Sequence, residues 1–261
     1  MDVVAITALG RSIEEEANAL ASDLGITAYE TGIMLRGAMP VVVLRSDDRS
    51  RALGLLEWLR GRGHQAIAVD TNAIVASEQM FHPKRFVLDG ADMVATGDGA
   101  EQRLVAGSVF ALVRAVHATR VEDTVTKTTR QFSAARAALT SGLMSTTTKS
   151  VDSIRVTQER EPVVYAFRID GEPWLFRSTA LRYDGLGARM QRSKSENFEV
   201  LVQVLRETSP QAPYDARLLA VRAAASTVVT SSSNHLSASS SGTMDLLAHV
   251  VAISLRRGAY R

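Results

Sequence analysis

Residues 40–70 read PVVVLRSDDRSRALGLLEWLRGRGHQAIAVD, a stretch whose pattern changes from extended to helical and back. The apolar run Val41–Leu44 is typical of a strand that is buried on both faces. Ser46, Asp47 and Asp48 then supply the residue types that cap a helix N-terminus. The segment therefore begins as a strand that leads into a helix from Arg49.

Apolar residues in that helix recur at a spacing of three to four, which indicates one buried face. The predicted stripe contains Leu53, Leu56 and either Leu55 or Leu59, and Gly61 and Gly63 end the helix. Ala66–Val69 forms the second strand. A right-handed crossover makes the two strands parallel, with the helix covering one face.

The residues before this unit predict a strand at Val3–Ile6 and a helix over 12–24. Thr27 and Glu30 have the spacing of a capping box, which begins a short second helix ending at Leu35. Residues 1–80 are thus expected to form an α/β domain, a small ferredoxin-like layer or a permuted relative of one.

Residues 84–208 have the pattern of a second, mainly β domain. Asp89-Gly90 predicts a hairpin, and the runs 163–167 and 174–176 predict two further strands. A capping box at Ser193 and Glu196 starts a helix, whose apolar stripe contains Phe198, Leu201, Val202 and Leu205.

This order of strands followed by one amphipathic helix resembles a bacterial PH-like domain between about residues 86 and 208. Trp174-Leu175-Phe176 and Glu196-Asn197-Phe198 are the local points of similarity. The resemblance implies an α+β chain in which a PH-like β-barrel with a capping helix serves as a scaffold for binding. The loop 96–101 lacks the basic residues that inositide-binding members carry, so the resemblance does not extend to headgroup binding there.

Residues 124–150 are rich in threonine and contain basic residues but no acidic ones. One interpretation is an exposed insertion, spanning 121–150, with a solvated face. The other is a contact surface for nucleic acid or anionic lipid headgroups. That surface would be formed by Lys127, Arg130, Arg136 and Lys149.

The tail, 209–261, combines a serine-rich segment with a strongly apolar helix. Ser226–Ser241 is typical of a flexible linker, and Thr243 is expected to cap the helix that follows. The helix would bury itself on its own chain or on a partner through Leu246, Leu247, Val250, Val251 and Leu255.

Composition limits the possible chemistry. The chain has no cysteine, which excludes disulfides and thiolate chemistry, and its net charge is only +2. The five histidines are not at metal-ligand spacing and are expected to be surface or capping residues. Asp70 is expected to cap a turn, although ligands also bind at strand ends. We expect no cofactor and no metal.

The sequence therefore predicts a non-catalytic binding or scaffolding protein in the cytoplasm, with a protein partner or a second copy of the chain. One alternative is a regulator that binds nucleic acid or an anionic membrane surface through the basic stretch. A second alternative is an enzyme whose site residues are dispersed along the sequence. No segment of the sequence has the length and hydropathy of a membrane span.

Overall fold

The computed structural model describes residues 1–97, 99–132, 146–221 and 235–258, with the backbone alone for 120–132, 146–157 and 235–238. The chain divides into two compact units. The first contains Met1–His117, Arg160–Ala224 and Ser240–Arg261, and the second contains Ala118–Glu159 and Ala225–Ser239.

The first unit begins with a three-stranded sheet and three helices. Its strands are β1 (Asp2–Ala8), β2 (Val41–Ser46) and β3 (Gln65–Asp70), and its helices are α1 (Ile13–Leu24), α2 (Ala28–Leu35) and α3 (Arg49–Gly61). The order is β2-β1-β3, and β1 is antiparallel to both neighbours. β2 and β3 are therefore parallel, as the sequence predicts, but β1 lies between them.

The helices cover one face of this sheet, and the buried face of α3 differs from the predicted stripe. Ala52, Leu55, Leu56 and Leu59 are buried, whereas Leu53 is 42% exposed. The capping box of Thr27 and Glu30 is confirmed at the start of α2. Three strands in this order form an α/β layer, and the finer ferredoxin-like assignment is not confirmed.

Two further sheets follow in the chain. β4 (Arg85–Asp89), β5 (Asp92–Gly97) and β6 (Ala100–Leu104) form an antiparallel meander, which confirms the hairpin at Asp89-Gly90. The third sheet has the order β10-β7-β8-β9. Its strands are β7 (Val109–Phe132), β8 (Thr146–Arg168), β9 (Trp174–Arg177) and β10 (Tyr214–Asp215).

Helix α4 (Lys194–Thr208) closes the core between these sheets. Phe198, Leu201 and Leu205 are buried in one cluster with Val164 and Trp174, so the predicted apolar stripe is confirmed. Within the described residues the strands form separate sheets and no closed barrel, and the PH-like barrel is not confirmed.

The C-terminal helix α5 (Ser241–Arg256) is buried on two sides. Leu246 and Val250 pack with residues of β1 and β3, on the face of the first sheet opposite α1–α3. Leu247 and Val251 pack with residues of β7, β8 and β9. The helix begins at Ser241, two residues before the predicted cap at Thr243.

The second unit contains the outer parts of β7 and β8 together with β11 (His235–Ser239), which pairs antiparallel with β7. These five residues form a strand where the sequence predicts a flexible linker, because their backbone groups join the β7 ladder. The middle of the threonine-rich stretch, residues 133–145, lies outside the described residues. The domain boundaries at 80, 84 and 208 stay a prediction.

Across the described part of the chain, no helix combines the length and apolar character that crossing a membrane requires.

Candidate functional site

The basic residues of the predicted contact surface cannot be placed together. Lys127 and Arg130 belong to β7 and Lys149 to β8, but their side chains lie outside the described part. Arg136 lies outside the described residues altogether. The contact surface stays a prediction.

The apolar side chains of the predicted interaction helix point into the first unit. Leu246, Leu247, Val250 and Val251 are buried there, and Leu255 is half-buried. The contacts that these residues make are with the chain's own sheets, so binding of a separate partner by this helix stays a prediction.

A buried polar network surrounds Asp245 of α5. Its carboxylate accepts hydrogen bonds from the backbone N–H of Ser77 at 2.7 Å and from the Ser77 hydroxyl at 2.6 Å. The hydroxyl of Tyr165 donates to it at 2.7 Å. Because Asp245 is only 1% exposed, these donors replace the water that the carboxylate has lost.

Two histidines extend this network. Nε2 of His117 lies 2.6 Å from the Tyr165 hydroxyl oxygen, and since that hydroxyl donates to Asp245, the imidazole N–H donates to the oxygen. Nε2 of His249 accepts from the N–H of Val75, so its Nδ1–H donates to the Asp245 carbonyl. Burial lowers the pKa of both imidazoles.

The network fixes α5 to β8 and to the segment that follows β3. It also corrects the expectation that the histidines are surface or capping residues, since His64, His117 and His249 are buried. Their partners come from distant parts of the chain, which sequence spacing does not reveal.

Asp70 does cap a 3-10 turn, by accepting from the N–H of Asn72.

A second buried cluster holds the carboxylate of Glu16 at the start of α1. Arg11 Nε donates to it at 2.7 Å and Arg62 Nη2 at 2.7 Å. His64 Nδ1 accepts from the N–H of Gly10, so its Nε2–H donates to Glu16 at 2.7 Å. Burial opposes ionisation, but the bonds from Arg62, His64 and Arg11 hold the pKa of Glu16 below its usual value.

The Glu16 cluster ties the β1–α1 loop to the end of α3. Gly10 approaches Gly63 so closely that a Cβ on Gly10 would lie 2.1 Å from the Gly63 carbonyl oxygen. Both buried clusters join segments that are distant in the sequence, and their carboxylates contact donors of the same chain. Among the described residues, no group of three or more histidine, aspartate and glutamate side chains could hold a metal ion.

The surface around Tyr214 has the geometry of a binding site. One concavity of about 620 Å³ lies between the end of α4 and the segment 210–214. A second, of about 450 Å³, is bounded by Met39, Ala220 and residues 214–217. Tyr214 lines both, so the two concavities form one surface region, the Tyr214 groove.

Tyr214 also belongs to a strand with an open edge. β10 is the outermost strand of its sheet, and its only strand partner within the described residues is β7. The N–H of Leu112 donates to the carbonyl of Pro213 at 3.0 Å. In this parallel register the N–H and C=O of Tyr214 face away from β7. Tyr214, a residue that lines the groove, thus has a main-chain donor and acceptor that β7 does not use.

Two arginines flank the ring of Tyr214. The guanidinium carbon of Arg206, an exposed residue of α4, lies 4.6 Å from the ring centroid, which is a cation–π distance. Arg114 is bound to Glu199, and hydrogen bonding with Glu199 and, to a smaller extent, with the Tyr214 hydroxyl raises the pKa of Arg114. The ring is therefore held by its neighbours in one orientation.

Sequence reasoning did not identify this groove. The residues that line it come from the α2–β2 loop, the end of α4 and the segment 210–220. One local signal was present: Pro210 and Pro213 precede Tyr214, and proline restricts the backbone of the segment in which it lies.

Comparison with known proteins gave no match: no protein-family model, no curated protein and no solved structure matches this chain.

Proposed function

We propose that the protein is a non-catalytic binding protein that holds an extended segment of a partner protein in the Tyr214 groove. The observation that carries the proposal concerns Tyr214, which lines both concavities. Its N–H and C=O face away from β7, and within the described residues β10 has no second strand partner. An added strand gains affinity from such main-chain groups, while neighbouring pockets select its side chains.

The composition of the groove fits this mode of binding. Pro210, Pro213, Ala212 and Met39 supply apolar surface, while Gln203 and Arg206 supply hydrogen-bond donors. The lining thus combines apolar surface with side chains that can form directional hydrogen bonds, and both are used when a peptide is bound. Two neighbouring concavities accommodate alternate side chains of an extended chain better than one compact small molecule.

The buried clusters favour binding over catalysis. The carboxylates of Asp245 and Glu16 are both enclosed, and each is occupied by several donors of the same chain. A general acid or base must reach the proton that it transfers. Neither carboxylate has a free position from which to do so.

Panning of a phage-displayed random heptapeptide library on the immobilised protein tests the proposal. We expect the wild type and the Tyr29→Ala variant to enrich the same peptides. The Tyr214→Ala variant keeps the main-chain groups but loses the ring that lines both concavities, so it is expected to enrich these peptides much less. Tyr29 is the matched control because it is an exposed tyrosine of α2 that does not line the groove. Equal enrichment by all three proteins, or no enrichment by the wild type, would contradict the proposal.

A further inference from the structure

Three acidic side chains around the Tyr214 groove form ion pairs with arginines of the same chain. Glu207 Oε2 accepts from Arg189 at 2.7 Å, and its other oxygen accepts from Gln203 at 2.8 Å. Asp215 binds Arg217 at 2.9 Å. Glu199, on the same helix as Arg206, is bound by Arg114. Each of these three carboxylates is therefore already neutralised by a basic partner.

Arg206 differs from these residues. It is exposed, and no acidic side chain in the described part of the chain forms an ion pair with it. Its guanidinium lies over the face of the Tyr214 ring. Stacking leaves the edge of a guanidinium plane available, and that edge carries the N–H donors.

We infer that the partner segment carries an acidic side chain, and that Arg206 binds its carboxylate at the groove. A guanidinium and a carboxylate match as two parallel N–H···O bonds, a geometry that adds specificity as well as affinity. Tyr214 orients the guanidinium before binding, so less side-chain freedom is lost when the complex forms. Arg206 is thus a specificity-determining residue, and this inference rests on the proposed function.

The position of the carboxylate follows from the strand geometry. Main-chain bonds to Tyr214 set the register of the added segment, and alternate side chains of a strand point to the same side. One side chain of the segment then lies beside Arg206, next to the backbone that pairs with Tyr214. The neighbouring Glu207 and Asp215 remain engaged with their own arginines and do not repel it.

Three heptapeptide pools test the inference by fluorescence polarisation. Each pool has Glu, Gln or Lys at the central position, with Val, Thr, Ile and Tyr randomised elsewhere. We expect the wild type to bind the Glu pool about tenfold more tightly than the Gln pool, as for a charge-assisted bidentate bond. The Arg206→Glu variant is expected to prefer the Lys pool.

Arg192→Glu is the matched control, because Arg192 is an exposed arginine that does not line the groove. It is expected to retain the preference of the wild type. Equal binding of the Glu and Gln pools by the wild type, lost in Tyr214→Ala, would overturn the inference while the proposed function stands. No binding of any pool by the wild type would overturn both. A melting curve of each variant confirms that it is folded.

Discussion

At the scale of single residues, the charge of Glu16 is stabilised by its neighbours although the side chain is fully buried. Arg11, Arg62 and His64 each donate to its carboxylate, and Arg62 also binds Asp23. A buried charge is tolerated only with such partners, because removal from water is costly. Loss of the Glu16 carboxylate should therefore destabilise the cluster more than loss of any one of its donors.

Replacing Glu16 by alanine should reduce the free energy of unfolding by about 3–5 kcal/mol, since it leaves buried basic groups without their anion. Glu14→Ala is the control, because Glu14 is exposed two residues earlier on the same helix. We expect the control to change stability by less than about 0.5 kcal/mol. Urea unfolding measures both, and equal midpoints for the two variants would contradict the assigned role.

The buried histidines predict how stability depends on pH. Burial lowers the pKa of His117 and His249 below the ordinary value of 6.5 in the folded chain. As the pH falls below about 6.5, the unfolded chain takes up protons that the folded chain does not bind. The stabilising effect of the neutral imidazoles is thus complete above this pH and is lost on acidification.

We expect the melting temperature of the wild type to fall between about pH 6.5 and 5.5, and the fall to be smaller in His117→Gln, which lacks one of the two groups. Differential scanning calorimetry at several pH values measures the two slopes. The same slope in both proteins would show that His117 does not contribute.

Residue types alone could not reveal these clusters. The capping boxes of Thr27 and Ser193 were predictable because both partners are three residues apart. Asp245 and Ser77, in contrast, are joined only when α5 packs against the segment after β3. The sequence contains every member of the network, but their proximity is a product of tertiary packing.

At the scale of elements, the apolar composition of α5 matches the position of the helix between two sheets. A helix that is apolar on more than one side must be covered on more than one side. Leu246 and Val250 contact the first sheet, and Leu247 and Val251 contact the sheet of β7–β9. The sequence predicted the helix and its burial, but it did not indicate which elements cover it.

Leu247→Ala should therefore destabilise the protein by about 2–5 kcal/mol, through lost burial and the cavity left behind. Leu53→Ala on α3 is a matched control, because that leucine is 42% exposed and was wrongly predicted to belong to the buried stripe. We expect it to cost less than about 1 kcal/mol. Equal costs in chemical denaturation would contradict the burial of α5 between the two sheets.

For the strands too, the local sequence predicts that a strand forms, whereas tertiary packing decides which strands lie beside it. The run 163–167 in β8 is continuously apolar because alternate residues enter different cores: Val164 faces the α4 side and Val163 and Tyr165 face α5. This apolar run predicted a strand. It did not predict that β1 would lie between β2 and β3, since strand order depends on long-range pairing.

At the scale of the whole molecule, the Tyr214 groove is assembled from segments that are far apart in the sequence. Met39 precedes β2, Arg206 lies in the last turn of α4 and Tyr214 belongs to β10. None of these residues forms a motif with its sequence neighbours. Composition could limit the chemistry, but only the folded chain brings these residues together. In the part that the structure describes, they combine a strand edge with no second partner, an aromatic ring and an arginine with no ion pair.

The most direct test of peptide binding at β10 is hydrogen exchange at the Tyr214 amide, measured by NMR with and without the Glu peptide pool. That N–H faces away from β7, so it is expected to exchange quickly in the free protein and to become protected when an added strand accepts its hydrogen. Protection of the Tyr214 amide, reduced in Arg206→Glu, is the predicted result. Saturating peptide that leaves this amide unprotected, or protects only amides remote from residues 210–217, would contradict binding at the β10 edge.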